Sequence, residues 1–223
     1  MTLVHSDNEI YIKFKENRVN VLVIENSKMM GEVVNELYNQ CNGIEGNFII
    51  AENDRLLKFT EKVIFITEPF SISCNSKKIL TLLYKELEDE AKNSMYEETN
   101  VLNSEIVKYI ENIISKLPYP ITFSDDFNIN SIFKLVNVCL DDYCESICEK
   151  IINYIKIVSS LSKINTIIFL NLKSFVTIEE IKEIYKIAFY NKINILLIEN
   201  YIYDKIEYED VIVYDKDLCK IMF

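Results

Sequence analysis

The sequence holds 223 residues with a formal net charge of −11, so it can bury a core without disulfide or metal staples, and its charge argues at face value against a polyanion partner. Hydrophobic residues make up 49% and charged residues 26%, which excludes a disordered chain, and only 3 Gly and 3 Pro predict long helices and buried strands with few sharp turns. Six scattered cysteines without a CxxC pair, no signal-peptide order, and no apolar run near the roughly 20 residues of a membrane helix predict a protein of the reduced cytoplasm with no membrane partner.

In chain order, EIYIKF (Glu9 to Phe14) sets Ile10, Ile12 and Phe14 on one face at period two and reads as a half-buried strand. VNVLVIEN (Val19 to Asn26) is apolar without alternation and reads as a strand buried on both faces. A helix follows from Lys28 to Gln40, with Met30, Val33, Val34 and Leu37 on its stripe. NFIIAEN and KVIFIT are two further strands, the second stopped at Thr67-Glu68-Pro69 because proline removes a ladder donor.

Asn75 and Ser76 offer N-cap chemistry to a long helix carrying Ile79, Leu82, Leu83, Leu87 and Ala91. A second long helix fits Asn103 to Leu117 on Ile106, Ile110, Ile113 and Ile114, and Pro118 and Pro120 end it. After the acidic loop SDDFN come a short helix with Ile132, Phe133 and Val136, and a long one from about Asp142 to Ser162 with Ile147, Ile151, Ile155 and Val158. TIIFLN, TIEEIKEIYKIAFYN and INILLIEN then read as strand, helix and strand, the pattern of a right-handed crossover between parallel strands.

The order is therefore strands, a helical block, and strands again. It predicts a discontinuous α/β head, residues 1–74 and 164–223, interrupted by an α-helical leg over 75–163. VNVLVIEN and INILLIEN, one from each flank, are expected in one largely parallel sheet.

Glu25 and Glu199 end those two strands, where open α/β sheets hold their ligands. The loop after Glu25 reads SKMMGEVV and lacks GxxxxGK[ST], so acids at strand ends near solvent are favoured over an ATP site. His5 is the only histidine, which removes triads and His-based metal sites, and it is expected on a loosely held N-terminus. Cys144 and Cys148 lie one helical turn apart, without the further ligands of a closed zinc site.

Asp125-Asp126, Asp141-Asp142, and Glu145 with Glu149 are the acids that could offer oxygens to a hard cation, against the alternative of a solvated or helix-capping role. The basic candidates for phosphate contact are Lys77 and Lys78, at the start of the first leg helix, and Lys13, Lys15 and Arg18 around the VNVLVIEN strand. A lysine pair at a helix start works against the macrodipole and points toward an external anion.

VNVLVIEN followed by KMMGEVVNELYNQ, then NSKKILTLLYKEL, EKIINYIKIVSSLSKINTIIFLNLKSFVTIEEIKEI and INILLIEN, resemble the CRISPR-associated Csn-two family over nearly the whole chain. The resemblance implies a P-loop-ATPase-like α/β head without nucleotide chemistry, interrupted by a helical leg. It implies a ring-shaped homotetramer that takes double-stranded DNA ends, without sequence readout, during spacer acquisition in adaptive immunity. The implied partners are the integrase proteins and the RNA-guided nuclease of the same system.

Calcium (Ca2+) is the implied cofactor, with Asp125 and Asp126 its first candidates on alignment and Asp141 and Glu149 matching two other family acids. Phe123 departs from a position that can be acidic in relatives. The net negative charge is reconciled by local potential, with cations gathered toward the DNA and acids elsewhere. A non-enzymatic role is expected. The alternative is a metal-dependent nuclease or a nucleotide hydrolase on the P-loop-like head.

Overall fold

In the computed structural model, which describes residues 1–53, 55–124 and 128–222, the chain opens with β1 (Thr2–His5) and β2 (Ile10–Lys13), an antiparallel pair. Ile10 and Ile12 are buried and Tyr11 and Lys13 exposed, as period two requires. β3 (Val19–Ile24) is buried at every position and leads into α1 (Ser27–Cys41). That helix ends at Asn42 and Gly43, where Gly43 takes φ 88°, Gly43 N donates to Gln40 O and Ile44 N to Asn39 O. This is a Schellman stop, which needs a residue tolerant of the left-handed region.

β4 (Phe48–Glu52) and β5 (Arg55–Leu56) complete a four-stranded antiparallel sheet in the order β2-β1-β4-β5. The short helix α2 (Phe59–Lys62) precedes β6 (Val63–Ile66). Three helices follow: α3 (Lys77–Asn93), α4 (Tyr96–Ile114) and α5 (Ile129–Leu135). Ser76 caps α3, its hydroxyl accepting from Ile79 N. The chain continues through α6 (Ile147–Leu161), β7 (Thr166–Leu170), α7 (Ile178–Tyr190), β8 (Asn194–Glu199), β9 (Glu209–Tyr214) and β10 (Lys220–Met222).

Two compact units result, Met1–Cys74 with Asp142–Phe223, and Asn75–Asp141. The first is a mixed α/β unit whose six-stranded sheet runs β10-β9-β3-β8-β7-β6, parallel except for β10. The two Glu-Asn strands of the sequence are direct neighbours, with Asn20 opposite Leu196 and Val23 opposite Glu199. On one sheet face Leu22, Ile24, Leu196 and Ile198 pack with Val33 and Leu37 of α1 and with Leu3, Ile10 and Ile12 of the small sheet. On the other, Val21, Val23, Ile167, Phe169 and Leu197 pack with α6 and α7.

The second unit is helical and contains α3, α4 and α5. Ile79 and Ala91 are the buried residues of α3, and no residue of α4 is buried. Tyr84 Oη donates to Val138 O, and Asn75 exchanges two side-chain bonds with the Leu140 backbone, both at 2.9 Å. Among the described residues no helix is long and apolar enough to cross a membrane.

Several expectations are corrected. The helix over 142–162 starts only at Ile147, because Ser146 caps it by accepting from Glu149 N at 3.1 Å. It belongs to the α/β unit rather than to a leg reaching residue 163: Ile151 and Ile155 are fully buried in the core that also holds Ile184 and Phe169. The stripe of α1 keeps the predicted Val33 and Leu37 and adds Met29 and Gln40, while Met30 and Val34 are only partly buried. The second leg helix begins at Tyr96 rather than Asn103.

His5 is not on a loose terminus: it is 2% exposed, and its Nε2 lies 2.8 Å from Glu36 Oε2. The strand ladder carries it inward opposite Phe48, whose ring it meets edge-on at 4.6 Å.

The placement of α6 has a measurable consequence. Ile155→Ala is expected to destabilise by about 2–5 kcal/mol through lost burial and a cavity. Val101→Ala, at an exposed position of α4, should stay within about 0.5 kcal/mol. Urea unfolding of both variants checks this; comparable losses would contradict the burial of α6.

Candidate functional site

The carboxyl end of β3 is where an open α/β sheet would receive a ligand. Here Glu25 N donates to Tyr214 O and Asn26 caps α1 directly. Asn26 Oδ1 accepts from Lys28 N and Met29 N, both at 3.1 Å. Those amides are the donors a phosphate would use, and the side chain already occupies them. The arrangement explains physically why the strand can enter a helix without a glycine-rich loop.

At the end of the neighbouring β8, the expectation of an acid near solvent fails for Glu199, which is 0% exposed. Asn171 sits in the left-handed region at φ 51°, donates its N–H to Ile198 O and accepts from Asn200 N on Oδ1. This turn carries Lys173 inward. Lys173 N donates to Glu199 Oε1 at 3.1 Å, while its Nζ lies 2.7 Å from Glu209 Oε1 and 2.9 Å from Oε2.

Glu209 also accepts from Tyr185 Oη at 2.6 Å and from Ile206 N at 2.9 Å, so its charge is fully surrounded by donors. Glu199 Oε2, in contrast, is buried without a partner among the described residues. Burial pushes the Glu199 carboxyl up to about 7; the Lys173 amide and ammonium pull it down and the Glu209 charge adds to the rise. Burial and the Glu209 carboxylate likewise raise the Tyr185 phenol.

A carboxyl poised near neutrality invites an acid–base role, but full burial keeps Glu199 from any substrate. The cluster is therefore a buried structural lock holding the β7–α7 turn to β8 and β9. Sequence reading missed Lys173, Tyr185 and Glu209. The available signal was Glu199 closing an unbroken apolar run.

The basic candidates separate into two groups. Lys15 Nζ lies 2.9 Å from Asp210 Oδ2, and Arg18 pairs with the same carboxylate through Nε and Nη2 while also donating to Glu209 O at 2.8 Å. Hydrogen bonding from Arg18 first, and from Lys15, holds Asp210 below the usual carboxylate range. Both cations are thus largely spent within the protein. Lys13 and Lys77 make no ion pair among the described residues; Lys13 points out from β2, and Lys77 and Lys78 open α3.

Of the acidic candidates, Asp141, Asp142, Glu145 and Glu149 fall within the described residues. Asp125 and Asp126 lie outside the described residues. Asp141 closes the helical unit, whereas Glu149 stands in the first turn of α6, where its Oε2 accepts from Glu145 N at 2.9 Å. Asp142 staples the first unit by accepting from Ser73 Oγ and Cys74 N on Oδ2. Among the described residues no group of three or more His, Cys, Asp or Glu can hold a metal ion.

Cys144 accepts from Asn153 Nδ2, while Cys148 is buried with its thiol directed to Glu180 O. Burial pushes the Cys148 thiol up to about 11 and the Cys74 thiol up to about 12, so neither is a thiolate at neutral pH.

Comparison with known proteins adds three findings. The family model of CRISPR-associated protein Cas_Csn2 matches residues 40–218. A CRISPR-associated protein Csn2 of Streptococcus agalactiae is 25% identical over 168 residues, spanning 72% of each chain. In fold, the chain resembles the crystal structure of Stu0660 of Streptococcus thermophilus with a TM-score of 0.62 at 13% identity, covering 96% of this chain and 75% of that one.

The buried lock predicts a pH dependence. Glu199 faces Lys173 and Glu209, and its folded pKa is raised from 4.5 to about 7. The folded protein therefore keeps a proton that the unfolded chain releases: this contribution is fully present below 4.5 and lost as pH rises through about 7, on a scale of about 3 kcal/mol. Glu199→Gln should remove that slope and raise the melting temperature at alkaline pH; a variant whose pH profile parallels the parent's would contradict the assignment.

Proposed function

The chain belongs to the Csn2 family of CRISPR-associated proteins, and from that membership we propose that it binds double-stranded DNA ends, without catalysis, as a ring-shaped homotetramer in spacer acquisition. The observation that carries this reading is the family match over residues 40–218; the chain-long likeness in fold to a solved structure supports the architecture. On this reading it works in the cytoplasm beside the integrase proteins and the RNA-guided nuclease of its system.

The head is taken as P-loop-ATPase-like in topology and empty of nucleotide chemistry. In support, β3 sits inside a parallel sheet and runs into α1, while Asn26 occupies the amides that would hold a phosphate. Assembly is supported by α4, whose 19 residues include Ile106, Ile110, Ile113 and Ile114 and none buried in the single chain. An amphipathic helix gains stability by covering such a face.

DNA contact requires cations that are not already paired. Lys13 and Lys77 meet that requirement, whereas Lys15 and Arg18 share Asp210. Phosphate contacts of this kind set position without reading bases, which suits a protein that must accept any sequence. The calcium part of the proposal rests on Asp125 and Asp126, since Glu149 caps its own helix turn.

Electrophoretic shift of linear and closed circular duplex tests the reading. Linear duplex should be retarded at low salt and closed circles should not; no retardation of linear duplex would remove DNA-end binding. Lys13→Glu should weaken the linear complex and lower the salt slope by about one. Native mass analysis checks the cation: calcium should shift the population toward tetramer in the parent but not in Asp125→Ala/Asp126→Ala, and equal distributions would exclude calcium from assembly.

A further inference from the structure

The parallel strands β6, β7 and β8 lie side by side in the sheet, so the turns that leave their carboxyl ends share one edge of the α/β unit. Each turn puts an aromatic ring on the surface: Phe70 after β6 is 57% exposed, Phe175 after β7 45% and Tyr201 after β8 64%. Measured contacts join the rings into one belt. Phe70 meets Phe175 edge-on with centroids 5.2 Å apart, Ser174 next in the chain holds Tyr203 through a hydroxyl pair at 2.9 Å, and Tyr203 meets Tyr201 edge-on at 5.5 Å. A contiguous set of exposed rings at the edge where open sheets hold their ligands marks an interaction site.

The belt is set before any partner arrives. Asn171 ties the turn after β7 to β8 by donating to Ile198 O and accepting from Asn200 N, and Lys150 Nζ holds the turn after β6 by donating to Phe70 O at 3.0 Å. Rings already fixed lose little freedom on binding, as interface anchors require. The surrounding charge then selects the partner. Glu68, Glu179 and Asp204 flank the rings in sequence, are exposed, and make no ion pair among the described residues. Lys173 is spent on Glu209, which leaves Lys205 of these turns against three acids. A phosphate backbone meets net repulsion at such a surface, whereas a cationic chain is attracted.

We propose that this belt docks a basic, arginine-bearing segment of a partner protein. Guanidinium planes lie on the Phe70, Phe175 and Tyr201 rings, whose quadrupole attracts the cation, and the acids of the rim answer the remaining charge. Lysine, a compact and strongly hydrated charge, satisfies the acids but stacks poorly. The site uses none of the residues assigned to DNA contact, so it stands or falls independently of DNA-end binding.

Fluorescence anisotropy of the full chain with a labelled peptide alternating arginine and leucine, with its lysine counterpart, and with labelled oligothymidine tests this. The arginine peptide should bind more tightly than the lysine peptide, and oligothymidine should not compete with it. Phe70→Ser/Tyr201→Ser should lower affinity for the arginine peptide by about tenfold and erase its advantage over lysine. Glu68→Lys/Glu179→Lys should weaken both peptides, while Tyr190→Ser, at an exposed ring outside the belt, should weaken neither. No binding of the arginine peptide, equal affinity for the two peptides, no effect of either double variant, or equal loss in Tyr190→Ser overturns the proposal. Oligothymidine binding that is lost in Phe70→Ser/Tyr201→Ser would make the belt a base-stacking platform and overturn the protein partner.

Discussion

The arrangement of the whole α/β unit depends on β3 being clasped on both sides by strands from the far end of the chain. Val23 stands opposite Glu199 of β8 on one edge and opposite Val213 of β9 on the other. Every side chain of β3 is buried, so the pairing removes its five apolar residues, with Asn20 among them, from water on both faces. With that clasp made, the intervening helices can leave the sheet and return without breaking its core. Asp142, bonded to Ser73 Oγ and Cys74 N, closes the base of the excursion.

The same clasp governs the electrostatics. Bringing β9 beside β3 places Asp210 against Lys15 and Arg18, which lie over 190 residues away in sequence, and neutralises cations that looked available. It also buries Glu209 and Glu199 near one lysine, so the sheet carries an internal charge lock instead of a surface acid patch. What remains for an anionic partner is the lysines that make no ion pair among the described residues, Lys13 and Lys77 among them. In a strongly acidic protein, recognition of phosphate becomes a question of local placement rather than net charge.

The sequence disclosed those features that depend on local periodicity. VNVLVIEN and INILLIEN announced buried strands because their apolar residues run without alternation, and their adjacency in one sheet follows. The helices α1, α3 and α7 were legible from apolar spacing and from caps such as Ser76. β1 was too short for its pattern to register, and β9 went unread after the last recognised strand.

Features set by distant contacts were hidden. The stripe of α6 looks like those of α3 and α4; only the sheet face it meets distinguishes a core helix from a leg helix. The burial of His5 depends on β4, and the capture of Arg18 depends on Asp210. The charge of Glu199 depends on a turn centred on Asn171, none of which a local window contains. Family resemblance supplied what periodicity could not, namely a role, and the match over residues 40–218 supports its coarse form.

The central proposal is that a globally acidic protein holds duplex DNA through lysines, such as Lys13 and Lys77, that make no ion pair among the described residues. It is tested most directly by the salt dependence of linear-duplex affinity, measured from low to physiological ionic strength. The account predicts a linear fall of log affinity with log salt, at roughly −0.9 per phosphate neutralised. A flat dependence, or no measurable affinity at the lowest salt, would contradict it.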